Sequence, residues 1–437
     1  MNARRQANAV DVVVVGGGHC GLAMSRALSQ RGIGHVVLER GAVANAWRTE
    51  RWDSLRLLTP NWMTQLPGMA YQGGDPGGYM TASEVAGFLS RYAARVSAPL
   101  RTATTVLRAR PSGTGWRVET TQGDWQCQAL VVATGGAARP MVPASAAAVP
   151  SQIAQFTALD YRRPSQLPDG GVLIVGASAT GLQLAQEIQR SGRPVTLAVG
   201  EHVRMPRLYR GRDIQWWLLA SGVLDQRLEE VDDVERVRRL PSPQLIGTPE
   251  RAALDLNALQ HHGIRVVGRL AQVRDGQALF SGSLRNVCVL ADLKMNRLLD
   301  TIDNWALTAG VGDDDAMEAR PAATQLPTSM TTVLDLKAHF RSVVWATGMR
   351  PDHTWLDASL RDRAGTLRHE GGVGGLPGLY VLGQPFLRRR KSSYIHGAGQ
   401  DVAELALHLT AHLSRGARDR IATHGIAPRF ASATLFH

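Results

Sequence analysis

The chain has 437 residues, of which 44% are hydrophobic and 20% are charged, and its formal net charge is +12. This length can bury two sizeable cores, so we expect two or three domains. The apolar runs are too short to span a bilayer, and the scattered positive charge forms no aromatic-interleaved basic helix or nucleic-acid motif. We therefore expect neither a membrane span nor a nucleic-acid partner.

The N-terminus and the cysteines bear on the compartment. Segment 1–9 is polar and basic and lacks the apolar stretch of a signal peptide. The three cysteines are Cys20, Cys127 and Cys288, and none belongs to a Cys-x-x-Cys pair, so a dithiol redox site is not expected. An odd number of cysteines fits a reducing environment, which predicts a cytoplasmic location.

The first motif is a glycine-rich turn after the apolar run 12–15. Gly16, Gly18 and Gly21 have the spacing Gly-x-Gly-x-x-Gly and open an amphipathic stretch. In a dinucleotide-binding βαβ unit these glycines allow a tight turn, a close approach to pyrophosphate, and packing of helix on strand. The next apolar run, 35–38, ends in Glu39, whose carboxylate suits ribose hydroxyls and repels a 2′-phosphate. We therefore predict an FAD site here.

A long loop-rich region then extends through Tyr79. Residues 81–95 form a predicted helix, with Thr81 as N-cap and Glu84 completing a capping box. Alternating runs at 117–121 and 125–132 predict a hairpin that ends in Ala133, Thr134 and Gly135. The Ala-, Pro- and Ser-rich segment 137–170 is expected to connect two domains.

The glycine motif then recurs 160 residues further along the chain. Gly176, Ser178 and Gly181 follow the apolar run 172–175 and precede a second amphipathic stretch. The position that corresponds to Glu39 holds Val199, and Arg204 and Arg207 follow shortly after. A missing acid beside guanidinium groups suits the 2′-phosphate of NADPH, so the second unit is predicted to bind that nucleotide.

The rest of the chain returns to the first domain. Helices are predicted at 211–222 and 285–310, the second with an apolar face of Leu293, Leu298, Leu299 and Ile302. An apolar run again ends in Ala-Thr-Gly at 346–348, a strand follows at 378–383, and a last helix starts near 396. The basic run 388–391 either attracts an anionic substrate or forms a solvated loop.

Two Rossmann-like domains in an α/β fold follow from this order. We expect a discontinuous FAD-binding domain at 1–165 and 331–437. An NADPH-binding domain with a helical insertion is expected at 166–330.

Together these features resemble the class B flavin-dependent monooxygenases. The resemblance is carried by both glycine motifs, by Trp47 and Arg48, by the two Ala-Thr-Gly strand ends, and by the strand at 378–383. The segments 52–62 and 209–214 resemble a bacterial subgroup described as flavoproteins or cation-efflux-associated oxidoreductases.

The resemblance implies two sets of cofactor ligands and no metal. For FAD the set is Gly16, Gly18, Gly21, Glu39, Trp47, Arg48, Thr134, Gly135, Gly383 and Asp401. For NADPH the set is Gly176, Ser178, Thr180, Gly181, Arg204, Arg207, Thr347 and Gly348.

It also implies an activity. NADPH would reduce FAD, and a C4a-hydroperoxyflavin formed with O₂ would transfer one oxygen atom to nitrogen or sulfur of a small molecule. Baeyer–Villiger oxygenation, a flavoprotein reductase or oxidase without substrate oxygenation, and a non-enzymatic flavoprotein that binds an acidic partner remain alternatives. If the chain associates with itself, the expected assembly is a homodimer.

The chain departs from the family where catalysis is decided. The family has a sequence fingerprint with a histidine before the second glycine motif. When this chain is aligned on Tyr161, that histidine corresponds to Thr157. The flavin-side asparagine of the amine and sulfide enzymes corresponds to Leu58, with Asn61 three residues later. The aspartate of the Baeyer–Villiger enzymes also corresponds to Leu58. Asn61 and Tyr161 are therefore the candidate catalytic residues.

Overall fold

Each apolar run that precedes a glycine motif forms a central strand of its own sheet, the first mixed and the second parallel. The computed structural model describes residues 7–311, 320–363 and 365–424. In spatial order the first sheet contains His369–Glu370, Val373–Gly374, Leu379–Val381, Ala129–Val132, Val12–Val15, His35–Leu38 and Leu100–Arg101. Val12–Val15 is buried throughout and runs parallel to both neighbours. Burial on both faces explains why this strand is a continuous run of valine.

The second sheet repeats this arrangement with five parallel strands. In spatial order these are Ala154–Thr157, Ser342–Trp345, Val172–Val175, Val195–Val199 and Arg265–Gly268. In both sheets the glycine motif follows a central strand, and a helix then crosses to the next strand. The prediction of two Rossmann-like domains in an α/β fold is therefore confirmed.

The domain bounds differ from those expected at 166 and 330. Ala154–Thr157 and Ser342–Trp345 were assigned to the first domain, yet both lie in the second sheet, where Ser342 pairs with Val172. The connector thus contributes an edge strand. We propose that the second domain extends from Ala154 to Trp345, with the first sheet drawing strands from both sides of it.

The predicted hairpin is correct only in its first half. Gly115–Thr120 pairs antiparallel with Trp125–Cys127 and with Val106–Ser112, whereas Ala129–Val132 turns away into the first sheet. The burial pattern gives the reason, because burial alternates along Gly115–Thr120 but is continuous along Ala129–Val132.

Helices cover the sheets and build the insertion. They are His19–Ser29, Asn45–Thr49, Ala82–Arg95, Ala179–Arg190, Ile214–Ala220, Val234–Arg238, Leu256–His261, Leu284–Ala309, Leu336–His339 and Ala398–His424. Three pairs of short strands are Gln65–Leu66 with Met69–Ala70, Arg139–Pro140 with Met349–Arg350, and Leu208–Tyr209 with Arg212–Asp213. A three-stranded sheet contains Leu270–Arg274, Gln277–Phe280 and Val333–Asp335. The strand Asn8–Ala9 pairs with Trp125–Cys127. The capping box of Thr81 and Glu84 is present. Within the described ranges, no helix is long and apolar enough to cross a membrane.

The insertion packs on a loop of the first domain. Met63, from that loop, belongs to one buried cluster with Ile214, Trp217 and Leu299 of the insertion helices. The long helix Leu284–Ala309 contributes Met295 and Ile302 to the same cluster. Leu293, expected on the buried face, is 44% exposed because the helix turns it away from this contact. The cluster fixes the loop 58–63 between the two domains.

Candidate functional site

The first glycine loop has the geometry of a pyrophosphate cradle. A Cβ atom at Gly21 would lie 1.9 Å from the carbonyl oxygen of Gly16, so the helix can pack on the turn only with glycine there. A Cβ atom at Gly18 would meet no protein atom within 4 Å. Protein packing therefore does not require glycine at 18, whereas close approach of a ligand to the backbone does.

Glu39 is held at the rim of this loop. Its Oε2 accepts a hydrogen bond of 2.7 Å from the Gly17 amide, and its Oε1 accepts one of 3.0 Å from the Gly41 amide. Each carboxylate oxygen has a second lone pair, so the group can still accept hydrogen bonds from ribose hydroxyls. The position agrees with the predicted role.

Three buried polar atoms near the first loop make no hydrogen bond within the described chain. They are Nε2 of His19, Oγ1 of Thr134 and Oδ2 of Asp401. Buried polar atoms are nearly always satisfied, so unpaired ones indicate a missing ligand. The other oxygen of Asp401 accepts a hydrogen bond of 2.9 Å from Nη1 of Arg389. Burial raises the pKa of Asp401. The residues present therefore fit an FAD site.

Other predicted FAD ligands lie around the same loop or on its edge. Gly383 approaches Cys20, since a Cβ atom there would lie 3.0 Å from the Cys20 sulfur. Trp47 is half-buried and carries the Arg51 guanidinium over its ring at 5.6 Å. Arg48 is exposed and donates hydrogen bonds to the Val43 carbonyl and to the Ser90 hydroxyl. Its bonding is that of a helix-surface residue, so of this pair only Trp47 remains a good candidate for flavin contact.

The second glycine loop reproduces the first in detail. Cβ atoms at Gly16 and Gly176 would lie 2.4 and 2.3 Å from the carbonyl oxygens of Ala133 and Ala346, and one at Gly181 would lie 1.9 Å from that of Gly176. Each Ala-Thr-Gly strand end thus lies directly beneath its own glycine loop. Thr347 donates its hydroxyl to the Met141 carbonyl, so this side chain secures the chain crossing between domains.

Gln244 adds an unpredicted polar group to the second loop. Its Nε2 donates to the Ala177 carbonyl at 2.7 Å, while its buried Oε1 has no partner among the residues described. Ser178 and Thr180 lie at the start of the helix Ala179–Arg190, where backbone amides are free for phosphate. This loop therefore fits a second dinucleotide.

Arg204 and Arg207 are not presented to a nucleotide. Both are buried, at 4% and 2% exposure. Arg204 donates to Asp255 and Asp292 at 2.7 Å each, and Arg207 donates to Asp213 at 2.7 Å. The physical reason is that acids of the insertion neutralise both guanidinium groups, Arg204 through acids distant in sequence and Arg207 through the nearby Asp213. The expectation that they read the 2′-phosphate is not supported by this geometry.

A different arginine borders the strand end that replaces Glu39. Arg269 is exposed and its Cγ would lie 3.7 Å from a Cβ atom at Gly200, the residue after Val199. The nearby acid Glu201 is paired with Lys294 at 3.2 Å. Arg269 follows the adjacent strand Arg265–Gly268, so its proximity to Gly200 depends on sheet pairing that the sequence motif did not indicate.

The two candidate catalytic residues lie in different surroundings. Asn61 is buried beside the insertion cluster; its Nδ2 donates to the Asp75 carbonyl at 2.9 Å and its Oδ1 is unpaired in the described structure. Tyr161 is fully buried in the core of the second domain with Ile174. Burial and the neighbouring Glu187 raise the pKa of Tyr161. An enclosed phenol of this kind is a poor proton donor to a substrate, whereas Asn61 keeps a free acceptor.

The basic run 388–391 is mostly a buried ion-pair network. Arg389 and Lys391 are buried, and their partners are Asp401 at 2.9 Å and Asp225 at 2.6 Å. The expectation of a solvated loop is therefore wrong for these two residues. Because Asp225 belongs to the insertion and Asp401 to the C-terminal helix, the run ties the two domains together.

Comparisons with known proteins agree with this geometry. The family model for pyridine nucleotide-disulphide oxidoreductases matches residues 13–238. An uncharacterized CzcO-like oxidoreductase of Geobacillus kaustophilus is 28% identical over 92% of this chain and 99% of its own length. The indole-3-pyruvate monooxygenase YUCCA4 of rice is 28% identical over 47% of this chain and 52% of its own.

Solved structures share the fold. The flavin-containing monooxygenase of Stenotrophomonas maltophilia covers 93% of this chain and 99% of its own at 19% identity, with a TM-score of 0.65. Bacillithiol disulfide reductase of Bacillus cereus covers 93% and 100% at 17% identity, with a TM-score of 0.58. The predicted resemblance is confirmed in family and fold: the chain belongs to the pyridine nucleotide-disulphide oxidoreductase family and shares the fold of the flavin-containing monooxygenases.

Proposed function

We propose that the chain is an FAD- and NADPH-dependent monooxygenase that transfers one atom of O₂ to nitrogen or sulfur of a small molecule. The observation that carries the proposal is the pair of near-identical glycine cradles, only the first of which has a ribose-binding acid. Two dinucleotide sites with different selectivity are what hydride transfer from NADPH to FAD requires. The other oxygen atom leaves as water.

The first cradle would hold FAD, which when bound accepts hydride and activates O₂. The backbone at Gly18 approaches the pyrophosphate, and Glu39 accepts hydrogen bonds from the ribose. Thr134 and Asp401 each offer a buried polar atom without a partner in the described chain. The apolar cluster around Met63 and Trp217 keeps water from the loop that carries Asn61.

The second cradle would hold NADPH. We propose that Arg269, rather than Arg204 or Arg207, contacts the 2′-phosphate, because it alone of the three is exposed and it borders Gly200. A guanidinium forms charge-assisted hydrogen bonds with phosphate. Lys294 offsets the charge of Glu201, which lowers the repulsion that this acid would exert on a phosphate.

The relatives support oxygenation, because the rice protein is named an indole-3-pyruvate monooxygenase and the Stenotrophomonas protein a flavin-containing monooxygenase. The non-enzymatic alternative loses support, since the family consists of oxidoreductases. Disulfide reduction is disfavoured because Cys20, Cys127 and Cys288 are all free and buried. Burial raises the pKa of Cys127 to about 12 and that of Cys288 to about 11, so neither is a ready nucleophile.

A reductase or oxidase is the second candidate, and Thr157 is the observation that favours it. Where the family has a histidine, the Thr157 hydroxyl donates to Asp160 at 2.7 Å and only closes a turn. Leu58 likewise stands where an asparagine or a Baeyer–Villiger aspartate belongs. These differences leave hydride transfer intact and remove groups associated with oxygenation.

Rapid mixing of NADPH-reduced holoenzyme with O₂ distinguishes the two candidates. For a monooxygenase, we expect a transient spectrum that belongs to neither reduced nor oxidised flavin, and bound NADP⁺ should prolong it. Direct return to the oxidised spectrum, with one hydrogen peroxide per NADPH consumed, would establish the oxidase instead.

A further inference from the structure

Arg390 differs from the other cations of the run 388–391. Arg388 donates to Glu404 at 2.8 Å, Arg389 pairs with Asp401, and Lys391 pairs with Asp225. Among the described residues, no carboxylate pairs with Arg390. Its Nε donates to the Gln226 side chain at 2.6 Å, and the guanidinium lies 5.5 Å from the Phe386 ring centroid.

The guanidinium of Arg390 is half-buried, and burial lowers its pKa. A charge removed from water is costly unless a counter-ion or hydrogen bonds compensate it. The bond to Gln226 uses only the Nε, and no described residue bonds the two Nη groups, which leaves them as a planar fork. Such a fork matches a carboxylate with two parallel hydrogen bonds.

Two further polar groups lie beside Arg390. The Tyr394 hydroxyl is close enough to Arg390 for each to influence the other's charge, and it also faces Gln215. Gln215 is 0% exposed, and its side-chain amide interacts with the Tyr394 hydroxyl without making a hydrogen bond of good geometry to any described residue. An amide buried in this way normally makes well-formed hydrogen bonds, so its poorly satisfied atoms point to a ligand.

The surroundings of these groups are apolar and lie between the domains. Tyr394 packs against the cluster that contains Met63, Ile214 and Trp217, and Leu58 and Trp62 pack on the same cluster. The loop 58–63 also carries Asn61. A ligand bound by Arg390 would therefore have a polar end at Tyr394 and Gln215 and an apolar body near the loop proposed to border the flavin.

We infer that Arg390, Tyr394 and Gln215 form a subsite for the carboxylate of the substrate, which makes the substrate an organic acid with an apolar body. The inference rests on the proposed function, because it names the substrate class of that same site. Arg390 supplies the charge and a bidentate fork, Tyr394 a hydroxyl donor, and Gln215 an amide donor. A neutral amide of the same shape lacks the charge and should bind much more weakly.

Calorimetric titration of oxidised holoenzyme tests the subsite without turnover. The probes are benzoate and 3-phenylpropionate, each compared with its primary amide. We expect at least one acid to bind at least tenfold more tightly than its amide, which corresponds to about 1.4 kcal/mol. The variant R390M should abolish that preference, and R390K should retain part of it because the charge remains while the fork is lost.

R239M is the matched control, since Arg239 is 78% exposed and, among the residues that the structure describes, forms an ion pair with Glu235 alone. It removes the same charge and should keep the acid preference. Equal binding of acids and amides by the unaltered protein, or an unchanged preference in R390M, overturns the inference. If R390M does not fold, Y394F decides: a reduced preference at full flavin content supports the subsite, and an unchanged one refutes it.

The proposed function is checked separately by reducing the same holoenzyme with NADPH in the absence of any acid. Normal reduction without acid binding contradicts only the substrate class. Absent reduction contradicts the proposed function, whatever the acids do.

Discussion

The two glycine loops have almost the same backbone, yet the strands beside them end differently. Gly16 and Gly176 approach the carbonyls of Ala133 and Ala346 at nearly equal distances. Beside the first loop, Glu39 is fixed by two backbone amides; beside the second, Val199 and Gly200 leave the strand end without a polar side chain of its own. We propose that the shared backbone binds pyrophosphate in both loops and that the difference at the strand end selects the ribose.

The comparison also shows how charge is used in the second domain. Arg204 and Arg207 are internal ion-pair partners, whereas Arg269 is exposed at the strand end. We therefore propose that pairing between strands, and not proximity in sequence to the glycine motif, brings the cation that contacts the nucleotide to the site.

Replacement of Gly18 by valine should have the largest effect, because it tests whether the first loop binds FAD. A Cβ atom at 18 would meet no protein atom within 4 Å, so we expect the fold to survive. It would occupy the space that pyrophosphate needs, and we expect the purified variant to contain essentially no FAD. Absorbance of the purified protein measures this, with circular dichroism as the control for folding. Full flavin occupancy would show that the first loop does not hold the cofactor.

Removal of Arg207 should be the most damaging change to stability. Arg207 also donates to the Leu58 carbonyl at 2.8 Å and lies 5.0 Å from the Tyr79 ring centroid, so it anchors the first-domain loop to the insertion. Breaking a buried ion pair costs about 3–5 kcal/mol, and we expect R207M to lose stability of this order in urea unfolding.

Exposed Arg239 provides the control for R207M. Substitution there should change stability by less than about 0.5 kcal/mol. Similar unfolding curves for R207M and R239M would contradict the anchoring role of Arg207.

Replacement of Arg269 by alanine should have a smaller and selective effect. Loss of the contact with the 2′-phosphate is expected to weaken NADP⁺ binding about tenfold, or about 1.4 kcal/mol. Binding of NAD⁺ should barely change, because that nucleotide carries no 2′-phosphate. Titration with both nucleotides gives the ratio of the NADP⁺ and NAD⁺ affinities. Equal weakening of the two would assign Arg269 a structural role.

The sequence predicted the features whose signals are local. Glycine spacing, flanking apolar runs and the capping box at Thr81 were enough for both Rossmann-like domains and for that helix. The strands Ala154–Thr157 and Ser342–Trp345 were missed as members of the second sheet because pairing between segments far apart in the chain is set by tertiary contact.

The sequence indicated only Arg390 of the proposed substrate subsite, as part of the basic run 388–391 that could attract an anionic substrate. It gave no sign of Gln215 or Tyr394. Gln215 comes from the insertion, whereas Arg390 and Tyr394 come from the segment before the C-terminal helix. Their separation in the chain leaves no motif spacing to detect. Likewise, the acids that neutralise Arg204 lie far along the sequence, at Asp255 and Asp292.

The proposed assignment of FAD to the first loop and of NADPH to the second is tested most directly by Ser178→Val. This variant is the counterpart of Gly18→Val in the second loop. Flavin content and anaerobic reduction of the purified variant by NADPH are measured together. We predict normal FAD content, reduction by NADPH slowed at least about tenfold through lost nucleotide binding, and normal reduction by dithionite. Loss of FAD from S178V, or unimpaired reduction by NADPH, would contradict the assignment of the second loop to NADPH.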